Sequence, residues 1–246
     1  MPYAIFDRDS FISRTGLGPD MKVLIIGPDS TAAIQIAQNV ETTVAIAVSN
    51  PQQSRGLRAI SPDNLNPLIA EFTNLPFKNE VLDIIFSYHS LNSVPKAQVS
   101  KMLSQVHSML KKDRRFAAIV WSVKPTNKAQ ESHLMMLEIL EQLGLLHLHG
   151  FDEVSRWLEA AGFKEITMEL VTHQLSVPEN WVRSHLNRIN EIVKEYRQIN
   201  GSLPVDIDNS LEVFKKHVKE YGEELLPSIQ FTAIRCGGLD GIDMIH

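Results

Sequence analysis

What most constrains the fold of this chain is an alternation: short apolar runs of strand length take turns with stretches whose apolar residues recur at helical spacing. The first run, Lys22-Val23-Leu24-Ile25-Ile26, is closed by Gly27 and Pro28. Its length and β-branched content fit a strand buried on both faces. Asp29 or Ser30 then stands where a helix N-cap is wanted, and Ala33, Ile34, Ala37 and Val40 repeat along one helical face. A second run, 44–48, ends at Ser49-Asn50-Pro51. Strand, helix and strand within about thirty residues make one βαβ unit.

The alternation continues. Residues 61–69, rich in Pro and Asn, read as surface loop, with a short third strand around Ile69. Further strands are expected over 82–87, 116–121, 164–175 and 229–235. The helix after Pro95 carries Val99, Met102, Leu103, Val106, Met109 and Leu110 on one face. Another covers 129–143. Gly150-Phe151-Asp152 opens a third, with Asp152 as cap, Val154, Trp157, Leu158 and Ala161 inward, and Gly162 as its stop. From 178 to about 221 the pattern is helical. In the first twenty residues Phe6, Phe11 and Ile12 form an amphipathic turn that Gly16 and Gly18-Pro19 end. Such an order of elements predicts a mostly parallel sheet covered on both sides.

Composition excludes several classes. A net charge of −5 over 246 residues, with no basic stripe, argues against nucleic acid as a partner. One cysteine, Cys236, can form neither an internal disulfide nor a thiolate metal cage. No apolar run is long enough to cross a bilayer, and residues 1–14 lack a signal-peptide core. A cytoplasmic protein without a membrane partner is the expectation; oligomeric state is not readable.

Four passages, in order, resemble the class I S-adenosylmethionine (SAM) dependent methyltransferases, especially the branch acting on small molecules. They are Val23-Leu24-Ile25-Ile26-Gly27-Pro28-Asp29-Ser30, Asn74-Leu75-Pro76-Phe77 with Leu82-Asp83-Ile84-Ile85-Phe86-Ser87, Leu110-Lys111-Lys112-Asp113-Arg114-Arg115-Phe116, and Leu158-Glu159-Ala160-Ala161-Gly162-Phe163. They look like that family's glycine loop, NLPF passage, LKPGGRL turn and AGF helix ending. The resemblance implies an α/β fold with a Rossmann-like, mostly parallel seven-stranded sheet and an antiparallel last strand. It divides the chain into an N-terminal segment (1–20), a methyltransferase domain (21–177 and 228–236), a helical lid or substrate insertion (178–227) and a tail (237–246).

It also implies a cofactor, SAM, and a small-molecule methyl acceptor. The cofactor-binding candidates are Gly27, Pro28, Asp29, Ser49, Asn50, Glu71, Phe72 and Ser87. Gly27 lets the backbone approach the methionine portion. Ser49 and Asn50 take the place of the ribose-binding acid, Glu71 falls near the adenine-contacting acid, and Phe72 lies beside it to cover the ring. His89 and Tyr88, after the fourth strand, are the catalytic candidates, His89 as a base if the acceptor needs deprotonating. No metal is expected. His147 and His149 alternate but read as solvated loop residues; His173, His185 and His217 are candidates to line the lid pocket, and Trp181 and Tyr196 read as core.

The loop departs from the family pattern: Ile25 stands at an acid position, and Asp29 and Thr31 replace later glycines. A second reading is therefore a catalytically silent relative that binds a partner or another ligand. A nucleotide-dependent oxidoreductase is disfavoured, because Asp29 facing a pyrophosphate at about 4 Å would cost on the order of 4 kcal/mol.

Overall fold

The computed structural model describes residues 4–27, 29–172 and 176–237. Their strands are β1 Val23–Ile26, β2 Val44–Val48, β3 Leu65–Ile69, β4 Leu82–Tyr88, β5 Leu110–Trp121, β6 Lys164–Val171 and β7 Ser228–Arg235. The helices are α1 Ala4–Ser13, α2 Ser30–Gln38, α3 Pro51–Ile60, α4 Lys96–Met109, α5 Lys128–Gln142, α6 Phe151–Ala160, α7 Glu179–Asn200 and α8 Ile207–Tyr221. A 3-10 turn, Ser90–Ser93, follows β4.

The strands form one sheet in the order β3, β2, β1, β4, β5, β7, β6. Neighbours from β3 to β5 run parallel, and β7 lies antiparallel between β5 and β6. The fold is therefore the Rossmann-like one that the sequence implied, with one antiparallel hairpin at its end. Side chains alternate between two cores. Leu24, Ile26, Ile85 and Phe116 pack with α4 and α6 on one face. Val23, Ile25, Ile84, Phe86 and Ile119 pack with Phe11 of α1 and with Ala33, Ile36 and Ala37 of α2 on the other. A third core belongs to helices alone: Met136 and Ile139 of α5, Ile189 and Val193 of α7, and Phe214 and Val218 of α8.

Several local expectations change. Residues 51–60 form α3, which the apolar pattern does not announce, because it buries only Ser54 and Leu57. The stretch 61–69 is loop only at its start; Leu65 to Ile69 pair with Val44 to Val48 across β2. β5 begins at Leu110, which pairs with Leu82 before a register shift, so the expected turn at 110–115 lies inside the strand. The cap of α6 is Gly150, with Asp152 in its first turn. The N-terminal turn is a full helix whose Phe11 and Ile12 are buried. The side chain of Phe6, residues 173–175 of the expected sixth strand and 238–246 of the tail lie outside the described part.

Candidate cofactor and acceptor site

β1 is flanked by β2 on one side and β4 on the other, and the helices that follow β1 and β4 pack on opposite faces. A crevice outside the carboxyl ends of the strands is expected where the winding reverses. Register brings the candidates there: Ile26 pairs with Ala47 and with Ser87, and the Ala70 N–H donates to Val48 O at 3.0 Å. Gly27, Ser49, Glu71 and Ser87 thus end, or directly follow, adjacent strands.

At Gly27 the backbone turns with φ +117°, a conformation open mainly to glycine. A Cβ there would lie 2.7 Å from the Ser90 Cβ. Ser90 donates its hydroxyl to Ile26 O, and its Oγ lies 2.9 Å from the Ser87 Oγ. Both serines are buried. Ser87 therefore belongs to the hydrogen-bonded floor of the crevice, and Pro28 lies outside the described residues.

Two other candidates are engaged as helix caps. Asp29 Oδ1 accepts from the Ala32 N–H at 2.7 Å, and Asn50 Oδ1 accepts from the Gln52 N–H at 2.7 Å. The Asn50 amide donors and the exposed hydroxyl of Ser49 still face outward, as does the exposed Glu71. Phe72 is buried in the core with Leu24, Ala47 and Leu75, so its ring packs against the sheet.

Sequence reasoning missed Arg8. α1 lays this arginine against α2, only 6% exposed, with Nε donating to Gln35 Oε1 at 3.1 Å and one terminal nitrogen 3.9 Å from Asp29 Oδ1. A guanidinium has five N–H donors; among the described residues this one makes a single hydrogen bond. It leaves a cation beside the loop where Asp29 had suggested net negative charge. No local pattern in α1 signals this, since the contact spans two helices.

His89 follows β4 in the left-handed region, φ +52°, with its N–H held by Ile119 O at 3.0 Å. Its ring stacks on Trp121 at 4.3 Å between centroids, and the Tyr88 ring meets its edge at 4.8 Å. Nδ1 of His89 is sealed from solvent without a hydrogen-bond partner. Burial, with a smaller contribution from His133, pushes its pKa down to about 3. His89 is thus a neutral imidazole near pH 7. Tyr88 itself is buried, its ring 6.0 Å from that of Phe11.

Behind Trp121 lies a second buried layer. His133 of α5 meets the Trp121 ring edge-on at 6.3 Å and accepts the Leu226 N–H on Nδ1 at 2.9 Å. Burial first, then His185, depresses its pKa to about 3 as well. His185 of α7 places Nδ1 3.0 Å from both carboxylate oxygens of the buried Glu223. His217 instead bonds the Ser132 Oγ at 2.9 Å, so these two histidines share no partner, and His173 lies outside the described residues. Trp181 and Tyr196 are half-buried. His149 is no solvated loop residue: it is fully buried, Nε2 2.9 Å from Leu91 O, its ring stacked on His147. No group of three possible metal ligands is assembled among the described residues.

Comparison with known proteins settles the architecture. Residues 26–118 match the family described as Methyltransferase domain. The YcgJ protein from Bacillus subtilis aligns over 95% of this chain and 99% of its own, with TM-score 0.69 at 14% identity. The chain has the class I methyltransferase fold, and residues 26–118 resemble the methyltransferase domain. Phosphoethanolamine N-methyltransferase 2 of Haemonchus contortus, solved with S-adenosyl-L-methionine, is similar over 94% of this chain and 53% of its own (TM-score 0.60, 13% identity). SpnF, a 4+2 cyclase, matches over 94% and 81% with the same TM-score and identity. No curated protein matches the sequence. Among the described residues, no helix is long and apolar enough to cross a membrane.

Proposed function

We propose that this protein binds SAM at the ends of β1, β2 and β3 and transfers its methyl group to a small molecule held beside His89. The observation that carries this reading is the left-handed turn at Gly27, placed where the sheet winding reverses and flanked by the buried Arg8 cation. The residues fit the cofactor through an altered set of anchors. Arg8 offsets Asp29 and offers donors to the methionine carboxylate. Ser49 and the Asn50 amide are left for the ribose hydroxyls, and Glu71 for the adenine amino group. Phe72 drops out of that set.

When bound, SAM supplies a methyl group on a positively charged sulfur, and displacement there needs chiefly alignment of the nucleophile. His89 holds the acceptor by hydrogen bonding and does not store its proton, because a ring whose pKa is near 3 is a weak base at pH 7. The stack on Trp121 fixes that ring. An acceptor proton passes to solvent.

Calorimetric titration tests this. SAM and its demethylated product should bind wild-type protein. Arg8→Gln should weaken SAM at least tenfold while leaving decarboxylated SAM within twofold. No heat at millimolar SAM would remove the methyltransferase reading. Equal losses for both ligands would remove only the role of Arg8.

A second reading has its own support. Ser90 packs tightly under Gly27, Asp29 and Asn50 already serve as caps, and a cyclase shares the fold. A protein of this shape that binds a ligand without methylating it would show SAM-independent ligand binding and no methyl transfer to any acceptor.

A further inference from the structure

The end of the sheet is built differently from its middle. On the face shared with α4 and α6, Met168 pairs with Phe231 and Leu170 with Ile229. Phe231 and Ile229 are buried, yet Met168 is 47% and Leu170 54% exposed. Two large apolar side chains in water, side by side on one strand face, mark a surface with an occupant.

They form one wall of a cleft of about 330 Å³, whose other lining residues include Phe151, Pro227, Ile229 and Lys124. Its rim is already rigid. The Ser122 N–H donates to Pro227 O at 2.7 Å, and the Lys124 N–H to the Ser122 Oγ at 3.2 Å. Thr126 gives both its N–H and its hydroxyl to Gln130 Oε1 at 2.9 Å. Among the described residues that line it, the only charge is the Lys124 ammonium, 4.7 Å from the centre of the Phe151 ring. Among the described residues no carboxylate pairs with it.

We propose that this cleft binds a small amphipathic anion, an apolar chain or ring bearing one carboxylate, with the carboxylate at Lys124 and the apolar body along Phe151, Met168, Leu170 and Ile229. At about 30 Å³ per water-sized group the volume holds roughly ten such groups. That is a short acyl chain or a ring system. Strand addition by a second copy fits poorly, because β6 carries a register shift between Lys164 and Thr167 with Glu165 at φ +47°. Exposed Lys164, Glu165 and Glu169 line the same edge. Bulges and charges of this kind blunt an edge against pairing. The cleft is also separate from the His89 site. Ser122 and Val120 face the α4 and α6 side of β5, whereas Trp121 faces His89.

The experiment titrates the full chain with sodium decanoate and with decyltrimethylammonium, both below micelle formation. Binding is followed by calorimetry and by the methyl resonance of Met168. Decanoate should bind at least tenfold more tightly than the cation and should shift Met168. Lys124→Ala should cut that preference to below threefold, and Leu170→Asp should weaken both ligands, with unchanged melting temperatures since both residues are exposed. Equal affinity for the two amphiphiles, or no effect of Lys124→Ala, would overturn the proposal. So would binding only to phosphatidylglycerol vesicles, or a dimer that Leu170→Asp dissociates. None of these readouts depends on SAM, so the inference stands or falls apart from the proposed activity.

Discussion

The two halves of the strand-end crevice put their polar groups to different uses. On the side of β1 and β2, Asp29 caps α2 and Asn50 caps α3, while Gln53 Oε1 of α3 is sealed without a partner. On the side of β4 and β5, polar atoms are left wanting. Nδ1 of His89 is sealed without a partner, and so is Oδ1 of Asn92 in the turn that follows. A buried polar atom without a partner costs roughly 1–3 kcal/mol, so such groups persist where something other than stability retains them. The first half uses its polar groups chiefly as helix caps, and the second leaves a histidine nitrogen and an amide oxygen unpaired just beyond the end of β4.

The largest test of this contrast is acid. His89 and His133 are held neutral in the fold, with pKa near 3, while an unfolded histidine titrates near 6.5. Between those values the unfolded chain binds more protons, so stability present above pH 6.5 is lost as pH falls toward 3. Each group adds a slope of about 1.4 kcal/mol per pH unit inside that window. Urea midpoints measured across it should fall steeply. Replacing His133 by Gln should flatten the curve by about one proton. A profile unchanged by that substitution would place the acid sensitivity elsewhere.

The first half breaks in another way. Gly27→Ala sets a methyl group against Ser90 at a φ that side chains rarely adopt. Backbone strain and overpacking together should cost about 3 kcal/mol. Adding Ser90→Gly should restore the packing share and leave the strain, a partition that a double-mutant cycle reads directly. Full recovery would mean the backbone carries no strain.

The smallest effect sharpens the assignment of Asn50. Asn50→Ala removes the cap of α3 and should lower stability by about 1 kcal/mol in chemical denaturation. If its amide also holds a ribose, SAM affinity should drop as well, by a few-fold. Unchanged affinity would leave Asn50 purely a cap.

Much of the fold was legible because burial is periodic. β1, β2 and β4 announce themselves as apolar runs, and α4 by one continuous stripe. α3 was hidden for the complementary reason: Pro51-Gln52-Gln53-Ser54-Arg55-Gly56-Leu57 is polar, and its start is marked only by the Asn50 cap and the proline after it. The candidate site was legible where it follows strand ends, as at Gly27 and His89. It was illegible where it depends on packing between distant elements. Arg8 meets Asp29 across 21 positions, and Glu223 meets His185 across 38. The burial of Phe72 was not legible either, since sequence order cannot tell which side of a loop turns inward.

The helix-only core has a mechanical consequence. α5 is the helix that follows β5, yet it packs with α7 and α8, and the segment from Glu223 to Leu226 bonds to His185 of α7 and to Gln130 and His133 of α5. The three helices and that short strap therefore form one packed unit. A displacement of that unit would act on Trp121, which packs against its core, and through it on the stacked ring of His89.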